Sequence, residues 1–246
     1  MEIIINGISG KMGKTVFDCA KTEGVTVTCG VDRNIVCNVD CPVYKSFDEV
    51  TSFCEAVIDF SSPDSLDGLL RFAIKYNLPV VIGTTGYSEY EETQIRNAAK
   101  ETAIFKTDNF SLGIYAVIKT ARLATEILSD YDVEIIELHH RYKSDAPSGT
   151  AKSIINAINE ELPAPRVPVC ARTEKRARNE LGVHSVRGGD LTGTHEILFM
   201  GDGETFSIKH QATNKAVFAI GALKAAKFLI GKKAGLYGMD DLIASL

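Results

Sequence analysis

Met1-Glu2-Ile3-Ile4-Ile5-Asn6-Gly7-Ile8-Ser9-Gly10-Lys11-Met12-Gly13 opens the chain. Three successive isoleucines read as a buried strand, and Met12, Val16, Phe17 and Ala20 then fall on one face of a helix. Between them Gly7, Ile8, Ser9, Gly10, Lys11 and Met12 form a loop spaced G-x-x-G-x-x-G, with Ser9 where the more usual G-x-G-x-x-G places its second glycine. Glycine lets a backbone turn tightly and brings N–H groups close to a pyrophosphate. The helix end behind the loop adds partial positive charge. Alone, the loop is equally a Gly-rich strand–helix turn.

The rest of the first half supplies context. Val25–Val31 alternates as a strand, and Ala56–Phe60 reads as a short buried one. Ser62-Pro63 should start a helix, with Ser62 as N-cap and Pro63 in its first turn. Pro79–Ile82 is a strand, Ser88 and Glu91 form a capping box, and Ala103-Ile104-Phe105 closes the series. Strand and helix in alternation predict a Rossmann-type, doubly wound parallel sheet with helices on both faces. Asp32 ends the second strand, about 20 residues beyond the glycine loop, where a carboxylate holds ribose hydroxyls. Arg33 beside it offers a guanidinium to a 2′-phosphate, so NADH and NADPH are both expected as cofactors. Gly83, Thr84, Thr85 and Gly86 follow the end of another strand, where ligands lie in such sheets.

The second half changes character. Leu112–Leu128 reads as a helix, Val133–Leu138 as a strand, and Ser148–Leu162 as a helix stopped by Pro163 and Pro165. Strand-like runs at Gly182–Val186, Glu196–Met200 and Thr205–His210 with Gly-Asp turns predict a mixed or antiparallel sheet. The expected division is a dinucleotide-binding domain over 1–110, completed by a C-terminal helix over 216–246, and a smaller α+β domain over 111–215 for substrate binding and oligomerisation.

Composition excludes several classes. Of 246 residues, 45% are apolar and 24% charged, the balance of an ordinary globular protein. A net charge of −5 argues against nucleic-acid and anionic-membrane partners. No signal-peptide pattern and no run near the ~20 apolar residues of a membrane span are present, so a cytoplasmic protein is expected. Six cysteines stand at 19, 29, 37, 41, 54 and 170. Cys37-x-x-x-Cys41 has no second pair or nearby histidine, so free thiols are expected and no metal site.

The chemistry concentrates in Glu137-Leu138-His139-His140-Arg141-Tyr142-Lys143-Ser144-Asp145-Ala146-Pro147-Ser148-Gly149-Thr150-Ala151. This segment leaves a strand, crosses a polar loop and enters a helix. Free N–H groups and two hydroxyls at the Ser148-Gly149-Thr150 helix start make a carboxylate site. Arg141 and Lys143 add positive charge, and a histidine can donate a proton near neutral pH. A basic loop with an ordinary Ser148 cap is the plainer alternative. The whole cluster favours a grip on a small dianion beside a proton donor.

This segment resembles, at every fixed position, the signature E-x-H-H-x-x-K-x-D-A-P-S-G-T-A of the 4-hydroxy-tetrahydrodipicolinate reductases of lysine biosynthesis. The Gly7–Gly13 loop, Gly83–Gly86, Asn109–Gly113, Arg187–Asp190 with Gly193 and His195, and Phe218–Ala222 extend the resemblance over most of the chain. It implies a cyclic imine dicarboxylate as substrate, which loses its 4-hydroxyl as water and accepts a hydride at C4 from a nicotinamide. It implies His139 as the acid, Lys143 as second donor or electrostatic stabiliser, and His140, Ser148, Gly149 and Thr150 as substrate contacts. Thr107, Asp108, Asn109 and Phe110 would touch nicotinamide. A homotetramer built through second-domain sheets is implied likewise. The chain departs from the family at Tyr142, where relatives often carry histidine, at Lys215, where many carry arginine, and at Thr107-Asp108. The alternatives are a non-catalytic nucleotide sensor and another two-domain dehydrogenase of a small amino-dicarboxylate. An aldehyde-oxidising enzyme would need a thiol near the hinge, and the only cysteine beyond residue 54 is Cys170.

Overall fold

The computed structural model describes residues 1–36 and 38–245, so Cys37 lies outside the described residues. The chain runs β1 (Glu2–Asn6), α1 (Lys11–Thr22), β2 (Thr26–Val31), β3 (Val43–Tyr44), β4 (Ala56–Asp59), α2 (Leu66–Tyr76), β5 (Val80–Ile82), α3 (Glu89–Ala98) and β6 (Ala103–Lys106). It continues through α4 (Leu112–Ile127), β7 (Asp132–His139), α5 (Gly149–Glu160), β8 (Val167–Val169), β9 (Glu180–Arg187), β10 (Gly193–Gly201) and β11 (Glu204–Ala212). It closes with α6 (Ala216–Leu229), β12 (Gly235–Tyr237) and α7 (Met239–Ile243). Two compact units result, Met1–Phe110 with Lys215–Leu246, and Ser111–Asn214.

The first unit holds a seven-stranded sheet in the order β12-β6-β5-β4-β1-β2-β3, parallel at every pairing. Strand order reverses at β1, so the crevice outside the carboxyl ends of β1 and β4 is the expected ligand position. Ile3, Ile4, Ile5, Val57 and Ile58 are wholly buried, as in strands covered on both faces. Ile4, Val57, Val80, Ile82 and Ile104 pack with Leu69 and Leu70 of α2 and Ile95 of α3. Each such side chain contributes about 1.5–3 kcal/mol on leaving water.

The second unit's sheet runs β11-β10-β7-β9-β8. β7 pairs antiparallel with β10 and parallel with β9, so the sheet is mixed. Val133, Ile135, Ile197 and Phe199 meet Val117 and Ala121 of α4 and Ile154 and Ile158 of α5 on one face. This Rossmann-type sheet with a second mixed sheet is the fold class the periodicity predicted.

Three local expectations need correction. Ser62 makes no side-chain cap, Pro63–Ser65 form a 3₁₀ turn, and the α-helix starts only at Leu66. The Ser62 hydroxyl instead accepts from Arg33 (3.2 Å), while the Ser61 and Ser65 hydroxyls bond each other (2.6 Å) and Asn6 Nδ2 donates to both (3.0 and 2.9 Å). The C-terminal segment is not one helix. Gly231, at φ +76°, follows the end of α6, and the chain then returns as β12 beside β6. The short strands β3, β8 and β12 were not expected; two or three residues are too few to show a period. The Ser88–Glu91 capping box is present as read.

Candidate active site

The glycine loop owes its shape to a close approach at Gly7. Gly7 has φ +79°, and a β-carbon there would lie 2.4 Å from the Phe60 carbonyl oxygen. Gly10 caps α1 in extended backbone, with no capping side chain and no acidic residue in the first helical turn. The helix end is thus left to an external anion. Above it lies a cavity of about 380 Å³ lined by Gly7, Gly10, Asp32, Arg33, Lys45 and Ser62, among others. An open helix N-terminus under a loop that lines the cavity with Gly7 and Gly10 fits the pyrophosphate of a dinucleotide. Asp32 accepts from the N–H groups of Ser9 and Asn34, 3.0 Å each, so its carboxylate ties the loop to the end of β2. Arg33 is exposed and bonds Asp64 (2.9 Å) and Ser62 (3.2 Å). Lys45 and Ser46, which sequence reasoning missed, join the lining from beyond β3.

The neighbouring strand ends carry the other expected cofactor residues outside that cavity. A β-carbon on Gly83 would lie 2.2 Å from the Phe60 ring, so packing dictates this glycine. Thr84 is buried and accepts from the Ser61 N–H at 2.8 Å, while Thr85 is exposed. Both loops are anchored on Asp59, fully buried, which accepts from Asn6 (2.7 Å), Ser61 (2.5 Å) and Tyr87 (3.3 Å). Burial pushes the Asp59 carboxyl up, and these donors oppose the push. The Thr107 hydroxyl bonds the backbone of Asn109, Asp108 is exposed, and Phe110 is buried against Phe60 and Phe105.

In the second unit the chemical segment converges on the carboxyl end of β7. Strand alternation sends Glu137 and His139 to the helix-covered face, where Glu137 is fully buried and His139 nearly so. One Glu137 oxygen meets His139 Nδ1 in a short contact. The other accepts from Arg187 (2.7 Å) and from the Ser148 N–H (3.2 Å). Arg187 also donates to the Asp145 carbonyl at 2.7 Å. Ser148 caps α5, its hydroxyl accepting from the Ala151 N–H, and it bonds His195 Nε2 at 3.2 Å. The His195 ring stands edge-on to that of His139, centroids 5.2 Å apart. Lys143 pairs with Asp145 at 2.7 Å. His140 donates its N–H to the Leu191 carbonyl, while its buried Nδ1 has no hydrogen-bond partner among the described residues. Gly149 opens the first turn of α5 with free space where a β-carbon would be, and Thr150 follows. Arg141 and Tyr142 are exposed.

The electrostatics follow from burial and pairing. Burial would raise the Glu137 carboxyl, but Arg187, Ser185 and His139 more than offset it and hold it down at about 2. Burial lowers His139, Glu137 opposes this, and Lys143 and Arg187 reinforce it. His195, deeper still and beside His139, falls to about 4 and stays neutral. Donor atoms of Glu137, His139 and His195 lie within 4.8 Å of one another. Both Glu137 oxygens already take N–H groups and the Arg187 cation shares the pocket, so the set balances internal charge. Glu137, Arg187 and His195 received no individual role from sequence reasoning, although Glu137 heads the signature and the other two lie in segments resembling the family.

A parallel Rossmann sheet with an uncapped glycine loop, joined to a smaller unit carrying an acid–base cluster, defines a two-part nicotinamide-dependent oxidoreductase. Residues 1–110 match the family described as "Dihydrodipicolinate reductase, N-terminus", and residues 113–243 match "Dihydrodipicolinate reductase, C-terminus". A 4-hydroxy-tetrahydrodipicolinate reductase of Caldanaerobacter subterraneus subsp. tengcongensis is 47% identical over 99% of this chain and 98% of its own. One of Clostridium tetani is 39% identical over 100% and 98%. The structure described as dipicolinate-bound dihydrodipicolinate reductase from Paenisporosarcina sp. TG-14 superposes with a TM-score of 0.81 at 26% identity, covering 98% of each chain. The chain belongs to the 4-hydroxy-tetrahydrodipicolinate reductase family. Its activity is the NAD(P)H-dependent reduction that family performs in lysine biosynthesis. The sensor and other-dehydrogenase alternatives are not favoured. Among the described residues, no helix is long and apolar enough to cross a membrane.

Proposed function

We propose that His139 is the general acid of this reduction, with Lys143 as second donor or electrostatic stabiliser and Ser148, Gly149, Thr150 and His140 as the substrate grip. The observation that carries this is the meeting, at one strand end, of a carboxylate-held imidazole and a helix N-terminus built from small and hydroxyl residues. Bound reduced nicotinamide supplies a hydride to C4 of the dehydrated cyclic imine. Negative charge then develops over the ring nitrogen and C3. A proton from His139 quenches it, and the Lys143 ammonium stabilises it meanwhile. The N–H groups opening α5 bind one substrate carboxylate. The Paenisporosarcina relative's bound dipicolinate, a ring bearing two carboxylates, supports a dicarboxylate substrate.

Gly7, Ile8, Ser9, Gly10, Lys11 and Met12 hold the dinucleotide's phosphates, Asp32 its adenine ribose, and Arg33 a 2′-phosphate when one is present. The loops over 83–85 and 107–110 form the nicotinamide end. Both NADH and NADPH are accepted. The protein works in the cytoplasm, and its second unit serves as substrate and assembly domain of a homotetramer. The assembly reading rests on Ile136, Leu138, Leu198 and Met200, which stay partly exposed on the sheet face turned away from α4 and α5.

The test is His139→Gln, assayed with substrate made in situ by the upstream synthase. Turnover should fall about 10²- to 10⁴-fold while the NADH dissociation constant, read by fluorescence, stays near wild type. Parallel losses in NADH affinity and turnover would make His139 structural.

A further inference from the structure

We propose that Glu137, braced by Arg187, is the positioning residue that sets which nitrogen of His139 carries the transferable proton and ties that histidine to the substrate's carboxylate anchor. The inference rests on the reading of His139 as the acid.

Glu137 is fully buried and its two oxygens do different work. Oε2 faces His139 Nδ1, so that nitrogen keeps its hydrogen and is not free to act on a ligand. The reactive nitrogen is then Nε2, beside Gly193, where a β-carbon would stand 3.0 Å away and crowd it. Oε1 accepts from the Ser148 N–H, the residue that caps α5 and begins the carboxylate site. One carboxylate therefore fixes both the proton donor and the helix end. Arg187 keeps it ionised and is itself fixed by the Asp145 and Val186 carbonyls. As the imidazolium gives its Nε2 proton to the substrate, Nδ1–H stays on Glu137, the ring becomes neutral, and solvent returns one proton per turnover.

The charged and titratable groups around His139 have opposing effects. Glu137 on its own strand favours the imidazolium. Lys143 in the following loop, itself paired with Asp145, and Arg187 on β9 disfavour it. His195 on β10 is neutral, with His210 of β11 paired beyond it in register. Two substitutions should thus move the same titration in opposite directions. In Glu137→Gln the amide oxygen can still serve Arg187 and Ser148. The amide NH₂ would then point at Nδ1, strip it of its hydrogen and oppose imidazolium formation. In Arg187→Gln a donor to Glu137 persists while the opposing positive charge is lost.

The experiment measures kcat against pH for both variants as complete enzymes with NADH, the His139 titration by ¹³C-histidine NMR, and the NADH dissociation constant. Glu137→Gln should move the alkaline limb and the His139 titration to lower pH and cut turnover at pH 7.5 about 10- to 100-fold. Arg187→Gln should move both to higher pH. NADH affinity should stay within about twofold in each, since tenfold would mean about 1.4 kcal/mol of lost binding. Glu137→Asp should restore part of the turnover. Limbs that stay at the wild-type pH in both variants, or move in the same direction, overturn the proposal. If His139→Gln keeps full turnover, it is the acid assignment that fails. A His139 titration that still splits in opposite directions would leave the orienting role of Glu137 standing.

Discussion

Gly13 packs against Gly7 so closely that a β-carbon on Gly13 would lie 2.1 Å from the Gly7 carbonyl oxygen. Helix α1 and the loop above it are thus in backbone contact, and Gly7 and Gly10 at the helix end line the cavity. Gly13→Ala must push the two apart. We expect a loss of about 1–3 kcal/mol in stability, the usual cost of overpacking, read from urea denaturation. The NADH dissociation constant should rise roughly tenfold or more, because N–H groups that approach an anion closely lose their geometry. An alanine variant with wild-type affinity would show that the loop's thinness is not what binds.

Sequence made some of this site readable and hid the rest, for physical reasons. The isoleucine run, the glycine loop and the Ser88–Glu91 box are local features, and each survives into the fold. Ser148 as a cap and His139 at a strand end are likewise local. The grip on His139 is not. Arg187 reaches Glu137 from another strand, 50 residues further along, and His195 reaches Ser148 from 47 residues away. No spacing rule pairs residues that meet only through sheet order. The failure at Ser62 has the same origin: its own hydroxyl answers to Arg33, and its neighbours' hydroxyls to Asn6, both far back along the chain, which outweighs the local capping signal.

Arg33 is the residue we propose receives a 2′-phosphate. Its ion pair with Asp64 is exposed on both sides, so it contributes little to stability and can be given up to a better anion. Arg33→Ala should therefore leave the melting temperature unchanged. It should weaken NADPH about tenfold and NADH much less, because only the phosphate gains charge-assisted bonds from the guanidinium. Paired fluorescence titrations of the two cofactors check this. Equal weakening would move the phosphate contact elsewhere, with Lys45 in the same cavity the next candidate.

The second sheet's face turned away from α4 and α5 carries the assembly we propose. Ile136 and Leu198 sit there among Glu196 and Lys209, which pair across strands at 3.4 Å. Such a mixture suits a two-fold contact with a second copy, apolar at its centre and charged around it. Leu198→Lys should split the assembly to a smaller species by analytical ultracentrifugation. The first unit's NADH affinity should remain intact, since the substitution lies in the other unit. A wild-type protein that sediments as a monomer at micromolar concentration would remove this use of the face.

His195 makes the sharpest statement about pH. Its ring is almost completely buried, held by Ser148 through Nε2, and burial with the neighbouring His139 brings it down to about 4. In the unfolded chain a histidine takes its proton near 6.5. Between those values the unfolded state binds a proton that the folded state refuses, so this group's stabilisation is complete above pH 6.5 and is lost as pH falls toward 4. At about 1.4 kcal/mol per pH unit, the loss comes to about 3 kcal/mol. Glu137, held at about 2, loses its own contribution only below the ordinary glutamate range, so the two windows barely overlap. Urea unfolding at half-unit steps from pH 7 to 4 should show the slope in the wild type. In His195→Gln, whose amide can keep a bond to Ser148, the same steps should show a much flatter line. An equally steep line in that variant would assign the acid sensitivity to another group.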